Sequence, residues 1–451
     1  MKTLWTWPEL CEAFELPVTR GPKVRGISID SRRTVTGDLF FALAGDPGPR
    51  FNPSHRSDRD GHDFIDAAVA NGAVGVVAHD GRSREIPQLQ VTDTLDALWA
   101  LGAAARRRLQ CPVVAVTGSS GKTTVKGLLS AALRAFSTAG SLNNHLGVPL
   151  SLAMTPRNAR AAVYELGTNH PGEIAPLAGL VRPDVALVLN VHPAHRQNFP
   201  SMAAITEEKL SIHQGLRPGG DLVLEESLPT DRLPPGLKIT RFGRSPGARV
   251  QLLALEERQA RYRIGEREVR ARVPGGGEHR ALSLAAVLAV LDVLGREPDP
   301  ALTLDDSLIA AGRGREQEAG GITVIDDSYN ANPESMKAAL IGLQARSEPR
   351  RFAVLGEMLE LGADAEQFHR ALAEHTDGLT GVYCVGEGMR ALYEALPPSR
   401  RVLWTAQADD ALLEVLAANL APGDVLLVKG SNRVFWARDF VARLIGQLAS
   451  K

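Results

Sequence analysis

The sequence has few cysteines and no long apolar runs, the features that mark disulfide-rich, secreted and membrane proteins. It has three cysteines among 451 residues, Cys11, Cys111 and Cys384, and it has no C-x-x-C pair. An odd and scattered set of this kind argues against a disulfide framework and against a zinc site. No continuous apolar segment of the signal-peptide type follows the N-terminus, and no apolar run is long enough to span a bilayer. These absences predict a cytoplasmic protein that does not bind a membrane.

An excess of charge of one sign is also missing. The 51 Lys and Arg residues balance 52 Asp and Glu residues, and the formal net charge is −1 at pH 7. Charges of both signs are interspersed, so the chain has no electrostatic footprint for nucleic acid. Any partner must therefore be recognised by a local site.

The length and the pattern of apolar runs predict an α/β protein of several units. A chain of 451 residues exceeds what one hydrophobic core normally serves. Short apolar strands alternate with helical stretches, which is typical of parallel sheets covered by helices. The composition of the segments predicts a small α/β domain over residues 1–84, a linker helix over 85–110, a central parallel-sheet domain over 111–312 and a doubly wound domain over 313–451. Two β-rich stretches, at 221–224 and 249–273, predict an antiparallel extension of the central sheet.

The most informative motif lies in residues 113–124. An apolar, β-branched run turns sharply into a segment of glycines, serines, a lysine and threonines: Gly118, Ser119, Ser120, Gly121, Lys122, Thr123 and Thr124. Glycines let backbone N–H groups point at phosphate oxygens, the lysine adds positive charge, and the first threonine offers its hydroxyl to Mg²⁺. The usual phosphate-loop pattern has glycine at the position of Val116, so this loop is a shortened variant. It predicts that the chain binds ATP.

Polar residues follow the predicted strands of the central domain. Glu165 ends one strand and suits Mg²⁺ as a hard oxygen ligand, and His195 follows the next strand. Lys209 lies in a helical stretch, and the sequence around it predicts an ordinary surface lysine. Asn143 and Asn144 precede a tight turn, where paired amides either bind a polar ligand or form an Asx-turn; the turn is the simpler interpretation.

A second polar stretch follows a strand of the last domain. Asp326, Tyr329 and Asn330 suit ribose hydroxyls and a base, whereas the alternative is a stretch that only caps the helix beginning after Asn332. Capping requires neither the acid nor the aromatic residue, which favours a nucleoside site.

These motifs resemble those of the Mur ligase family, ATP-dependent enzymes of peptidoglycan precursor synthesis with three domains in this order. The resemblance spans nearly the whole chain, and it is most specific at residues 117–124, 326–333 and 356–362. The last two segments are similar to the branch that adds D-alanyl-D-alanine to UDP-N-acetylmuramoyl-tripeptide through an acyl phosphate. Residues 30–32, 37–43 and 60–64 resemble the uridine-nucleotide domain of that branch.

The resemblance implies roles for individual residues. It implies Mg²⁺ as a cofactor, with Thr123, Glu165, His195 and a carbamylated Lys209 as its ligands. It also implies that Arg315, or else Arg313, reaches the γ-phosphate from the last domain. The remaining positions that match the family are His279, Asp326, Tyr329 and Asn330 at the nucleotide, Asn143 and Asn144 near the substrate, and Ser31, Arg32 and Phe41 at the uridine nucleotide. We expect a monomer.

Three other interpretations remain open at this point. A related ligase with another acceptor, such as a relative of folylpolyglutamate synthase, would share the phosphate loop, but the uridine-type first domain argues against it. A non-ligase P-loop NTPase, such as a switch or a transport ATPase, would hydrolyse ATP without an acceptor. A catalytically inactive relative is the third alternative.

Overall fold

The computed structural model describes residues 2–45, 59–138, 140–192, 196–297 and 306–450. These residues build three sheets of four, eight and six strands, each covered by helices. The predicted α/β class with three units is confirmed. None of the helices in these ranges combines the length and the apolarity that crossing a membrane requires.

The first sheet is small and parallel, with its strands in chain order. Its elements are β1 (Gly26–Ser28), β2 (Asp38–Phe41), β3 (Gly75–Ala78) and β4 (Gln88–Gln90), with helices α1 (Trp7–Ala13), α2 (Ile65–Ala70) and α3 (Thr94–Arg108). Strand β4 pairs with β3 and so carries this sheet past residue 84, where the sequence predicts the end of the first domain. The predicted domain bounds remain predictions.

The second sheet has the strand order β12-β11-β10-β9-β8-β7-β5-β6. Its strands are β5 (Val113–Thr117), β6 (Ala162–Glu165), β7 (Val185–Val188), β8 (Asp221–Glu225), β9 (Lys238–Gly243), β10 (Val250–Glu256), β11 (Gln259–Ile264) and β12 (Arg267–Arg272). The helices are α4 (Lys122–Leu133), α5 (Gly147–Ala153), α6 (Ile174–Val181), α7 (Met202–Leu210) and α8 (Glu278–Val293). Strands β10, β11 and β12 form the antiparallel extension predicted at 249–273. The same prediction for residues 221–224 is wrong, because β8 pairs in parallel with both β7 and β9.

Strand β5 explains why the phosphate loop could be found in the sequence. It lies between β6 and β7, and all five of its residues are buried. A parallel strand covered on both faces reads as a continuous apolar run. Because β5, β6 and β7 are parallel, their carboxyl ends meet at one edge of the sheet, and ligands of open α/β sheets bind at that edge.

The third sheet has the order β13-β14-β18-β15-β16-β17, with only β13 antiparallel to its neighbour. Its strands are β13 (Arg315–Ala319), β14 (Ile322–Asp327), β15 (Arg351–Gly356), β16 (Gly381–Val385), β17 (Arg401–Thr405) and β18 (Val425–Lys429). Its helices are α9 (Pro333–Gln344), α10 (Ala365–Ala371), α11 (Arg390–Ala395), α12 (Asp410–Asn419) and α13 (Phe440–Ala449). The sequence analysis identifies neither edge strand, β13 or β17. The sequence of β13 is mostly polar, as is common in edge strands.

Candidate active site at the carboxyl edge of the central sheet

The phosphate loop connects β5 to α4 and contacts the segment that follows β7. Gly118 and Gly121 have φ angles of +156° and +79°, and a Cβ atom at Gly118 would lie 2.9 Å from Leu189. The backbone N–H of Ser120 donates to the side-chain oxygen of Asn190 at 2.9 Å, and the Ser119 hydroxyl donates to the carbonyl of His192. Lys122 begins α4 and its ammonium donates to the Gly118 carbonyl at 2.8 Å. The loop therefore places the N-terminus of α4 and one ammonium next to each other, which together suit a phosphate group.

Glu165 is the centre of a buried polar cluster beside this loop. Its carboxylate accepts hydrogen bonds from the Thr123 hydroxyl at 2.9 Å and from the Asn143 amide at 2.7 Å. The Thr123 hydroxyl also contacts the hydroxyl of Ser141 at 2.9 Å. Thr124 follows on α4 within the first helical turn. The structure thus brings together three residues that the sequence predicts at the site, and it adds Ser141.

The cluster contains a second lysine that sequence reasoning missed. Lys126 is buried, and its ammonium lies 3.8 Å from Glu165. The signal was available, since residues four apart on a helix lie on the same face and Lys126 comes four residues after Lys122.

The donor set fits Mg²⁺. The Thr123 hydroxyl and the Glu165 carboxylate are hard oxygen ligands placed directly at the phosphate loop. The described residues hold no group of three or more His, Cys, Asp and Glu side chains that could bind a metal by themselves. That arrangement agrees with nucleotide-bound Mg²⁺, which takes one or two protein oxygens and completes its shell with phosphates and water.

Lys209 lies on α7 and is only 3% exposed, so the surface interpretation of this residue is wrong. Burial, and then the positive charge of Lys122, lower its pKa to about 7. The adjacent Glu208 orients the helix, because its carboxylate accepts from the backbone N–H groups of Gly172, Glu173 and Ile174 at the start of α6. His195, the other predicted metal ligand, lies outside the described residues.

The two candidate arginines of the third unit point to different places. The Arg313 guanidinium donates to the Ser141 hydroxyl at 3.1 Å and packs 4.0 Å from the ring of Tyr329. Arg315 is exposed, inside strand β13. Among the described residues it is Arg313 that reaches the Thr123–Glu165 cluster across the gap between the two units.

The residues predicted at the nucleoside differ in whether their side chains are used within the third unit. Asp326 is buried and its carboxylate accepts from the Gly312 N–H at 2.8 Å and from the Ser328 hydroxyl at 2.5 Å, so its oxygens serve the turn. Tyr329 lies between Arg313 and the partly exposed Trp436, whose ring centre is 5.3 Å away.

Two further residues predicted at the nucleotide lie nearby. The Asn330 carbonyl accepts a hydrogen bond from Lys429. His279 lies exposed in the first turn of α8. Of the two residues predicted at the nucleoside, Tyr329 is partly exposed, whereas Asp326 is buried.

The residues predicted at the substrate differ in their exposure and in their contacts. Phe41 is fully buried and packs edge-to-face on Phe14, so its side chain belongs to the core. The side chain of Asn144 accepts a hydrogen bond from the Gly147 N–H at 2.9 Å. This contact is the one expected if Asn144 forms a turn. Arg32 is 82% exposed and pairs with Asp30, and the buried Ser31 accepts a hydrogen bond from Asn71. Within the part of the chain that the structure describes, the polar and ring contacts of Ser31, Arg32 and Phe41 are made with other first-unit residues.

Comparison with known proteins agrees with this arrangement. Residues 116–291 match the Mur ligase middle domain, and residues 313–432 match the family described as Mur ligase, glutamate ligase domain. UDP-N-acetylmuramoyl-tripeptide–D-alanyl-D-alanine ligase of Bacillus subtilis is 31% identical over 435 residues, which is 91% of each chain. The enzyme of the same name from Escherichia coli is 34% identical and covers 82% of this chain and 83% of its own.

Solved structures agree as well. MurF from Acinetobacter baumannii superposes with a TM-score of 0.82 at 29% identity, covering 98% of this chain and 99% of its own. MurF from Thermotoga maritima in complex with ADP has a TM-score of 0.79 at 29% identity, covering 95% and 98%. The chain therefore belongs to the Mur ligase family.

Proposed function

We propose that this chain joins D-alanyl-D-alanine to UDP-N-acetylmuramoyl-tripeptide at the expense of ATP. The proposal is supported by relatives with that name that are 31% and 34% identical over most of their length. The observation that carries it is the Thr123–Glu165–Asn143 cluster beside the phosphate loop, which Arg313 reaches from the third unit. This arrangement suits phosphoryl transfer from ATP inside a cleft between two units.

The reaction has two steps. The peptide carboxylate attacks the γ-phosphorus of ATP, which breaks the bond to the bridging oxygen and releases ADP. The amine of D-alanyl-D-alanine then attacks the carbonyl carbon of the acyl phosphate, phosphate leaves, and the amine loses a proton. Little covalent work falls to the protein, because phosphoryl transfer depends on alignment and on neutralisation of charge.

Each neutralising group has a position suited to this work. Lys122 lies at the start of α4, where the terminal phosphates of ATP would meet its ammonium. Arg313 adds a second cation from the opposite side of the cleft, and its contact with Ser141 favours it over Arg315 as the γ-phosphate ligand. When bound, Mg²⁺ would be held by Thr123 and Glu165 and would withdraw charge from the phosphates. Closure of the third unit over the cleft would keep water from the acyl phosphate.

Lys209 is proposed as a carbamate. A buried lysine with a pKa of about 7 is partly neutral at physiological pH, and a neutral amine adds CO₂ with loss of one proton. The product is an anion, which would suit a cation-rich site that already contains Lys122. Mass spectrometry of the intact chain under CO₂, with Lys209→Ala as control, should show an additional carboxylate only in the natural chain.

The proposed setting is the cytoplasm, with ATP and the nucleotide-linked peptide as soluble substrates and the chain acting as a monomer. Sedimentation velocity of the purified chain, with and without nucleotide, measures that oligomeric state. A dimer would contradict the proposal for the assembly while leaving the proposed reaction open.

The deciding experiment is phosphate release with Mg-ATP, the UDP-linked tripeptide and D-alanyl-D-alanine, omitting each in turn and recording the product mass. We expect release only when all three are present. A non-ligase P-loop NTPase would release phosphate without an acceptor, and a chain that is silent with every tripeptide would be an inactive relative or a ligase for another acceptor. The folylpolyglutamate-type alternative has only a similarity of fold to support it, since FolC from E. coli is 18% identical.

A further inference from the structure

Lys126 lies inside the polar cluster, yet it does not belong to the phosphate loop. It is 4% exposed and sits one helical turn after Lys122 on α4. Its ammonium donates to the Thr138 carbonyl at 2.9 Å and to the Gly140 carbonyl, and lies 3.8 Å from Glu165. The charge is therefore shared between two backbone oxygens and one carboxylate.

The two carbonyls belong to the segment that completes the site. This segment continues into Ser141, which contacts Thr123 at 2.9 Å and accepts from Arg313 at 3.1 Å. It then reaches Asn143, whose amide donates to Glu165 at 2.7 Å. Lys126 is thus bonded both to the segment that meets the third unit and to the carboxylate that the segment contacts.

A merely structural role explains this placement poorly. Taking an ammonium out of water costs free energy, and replacing a buried ion pair by apolar side chains of similar size is often neutral or stabilising. A cost of this kind is expected where the charge holds other groups in a required geometry.

We propose that Lys126 is a positioning residue that holds Glu165 and the Ser141–Asn143 segment in the geometry that a nucleotide-bound metal ion needs. It would act through Glu165 and not touch the nucleotide. The inference rests on the proposed function only in that it assigns a metal–nucleotide complex to this cluster.

The test is ADP binding to the whole chain by calorimetry, with Mg²⁺ and separately with EDTA. For Lys126→Ala we expect the gain in ADP affinity from Mg²⁺ to fall by about tenfold or more, the usual cost of removing a partner of a metal ligand. ADP binding in EDTA should stay within about twofold, because the loop N–H groups and Lys122 remain. Lys238→Ala is the matched control, since Lys238 also donates to a carbonyl, at an exposed site; it should change neither value.

A second arm separates positioning from a folding defect. Propylammonium chloride supplies the three carbons and the ammonium that Lys126→Ala removes and should restore the Mg²⁺ gain in a saturable way, whereas sodium chloride of equal ionic strength should not. If the alanine variant does not fold, Lys126→Gln takes its place, with the same expected loss and no rescue. An equal fall in affinity with and without Mg²⁺, or no fall in either, would overturn the proposal. Because no acceptor substrate is used, a failure of the ligase assay leaves this result unaffected.

Discussion

The central unit meets its two neighbours through interfaces of opposite chemistry. Toward the first unit the interface is apolar: Leu98 and Leu101 of α3 are fully buried in one hydrophobic cluster with residues of both sheets, such as Phe41 of β2 and Val113 of β5. One of the polar contacts there is buried as well, since the Trp5 indole N–H donates to the Ala153 carbonyl at 2.8 Å. Water cannot replace such contacts without a large loss of free energy.

Toward the third unit the interface is polar and dominated by arginine. Arg258 pairs with Asp306 and, across the gap, with Glu316, both at 2.7 Å. Arg280 donates to the carbonyls of Arg313 at 3.0 Å and Gly314 at 3.2 Å. The hydrophobic clusters of the third unit draw only on residues of that unit within the described ranges.

The difference indicates which interface moves. Polar contacts at a surface exchange with water at little net cost, so relative motion is the default for units joined in this way. Units that share a core move together. We therefore expect the first and central units to form a rigid base for the UDP-linked substrate, while the third unit opens and closes over ATP about residues 312–314.

The largest effect should come from the arginine that crosses the polar interface. Arg313→Ala should lower kcat for phosphate release by about 10³-fold, the scale seen when a charge-stabilising arginine is removed from a phosphoryl-transfer site. Arg315→Ala, two residues away and exposed, is the matched control and should stay within about twofold. Equal losses in both variants would contradict the assignment of Arg313.

The next effect tests the apolar interface. Leu98→Ala removes a fully buried side chain from the shared cluster and should lower the free energy of unfolding by about 3 kcal/mol. Thermal unfolding followed by circular dichroism measures it, with Val18→Ala, which is 61% exposed, as the control. A change below about 0.5 kcal/mol would mean that the two units do not share a core.

A smaller effect is expected at the hinge. Arg280→Lys replaces a planar guanidinium that bridges the Pro274, Arg313 and Gly314 carbonyls with a single ammonium that cannot reach all three. We expect kcat to fall by about tenfold with little change in KM for the UDP-linked tripeptide, because the rigid base is intact. Arg270→Lys, at an exposed position of β12, should leave both constants unchanged. A rise in KM alone would place Arg280 in substrate binding.

The smallest effect concerns the ion pairs behind the hinge. Arg258 is about one-third exposed, so Arg258→Ala should cost less than about 1 kcal/mol of stability. The variant should nevertheless have a larger radius of gyration in small-angle scattering without nucleotide. Salt at ~1 M should also increase the radius of gyration of the natural chain, because it screens the ion pairs, but it should add little to that of the variant. Arg261→Ala breaks a pair within the central unit and should leave the scattering unchanged. A radius of gyration that changes neither with Arg258→Ala nor with salt would mean that the interface between the central and third units is fixed.

Features that depend on neighbours in the chain could be predicted from the sequence. The phosphate loop needs glycines with positive φ angles, a buried strand before it and a helix N-terminus after it, and all three lie within residues 113–124. The start of α9 is similar, because Asn332 and Pro333 are local capping signals. The resemblance of the longer motifs then identified the family.

Features that depend on distant segments required the tertiary structure. Lys209 looks like a surface lysine because nothing near it in the sequence indicates that it is buried and lies within the field of Lys122. Asp326 looks like a ribose ligand until the turn at Gly312 folds onto its carboxylate. Arg313 and Arg315 have the same side chain two residues apart, and only the docking of the third unit brings one of them to Ser141.

The sequence by itself determined the three-unit α/β fold, the nucleotide loop and the family, because those depend on local backbone geometry and on the alternation of buried strands with helices. Only the tertiary structure decided which charged side chains are buried against one another at the site. The physical reason is that burial and electrostatic partners are set by segments tens to hundreds of residues apart, and the pairing of Arg313 with Ser141 is such a contact.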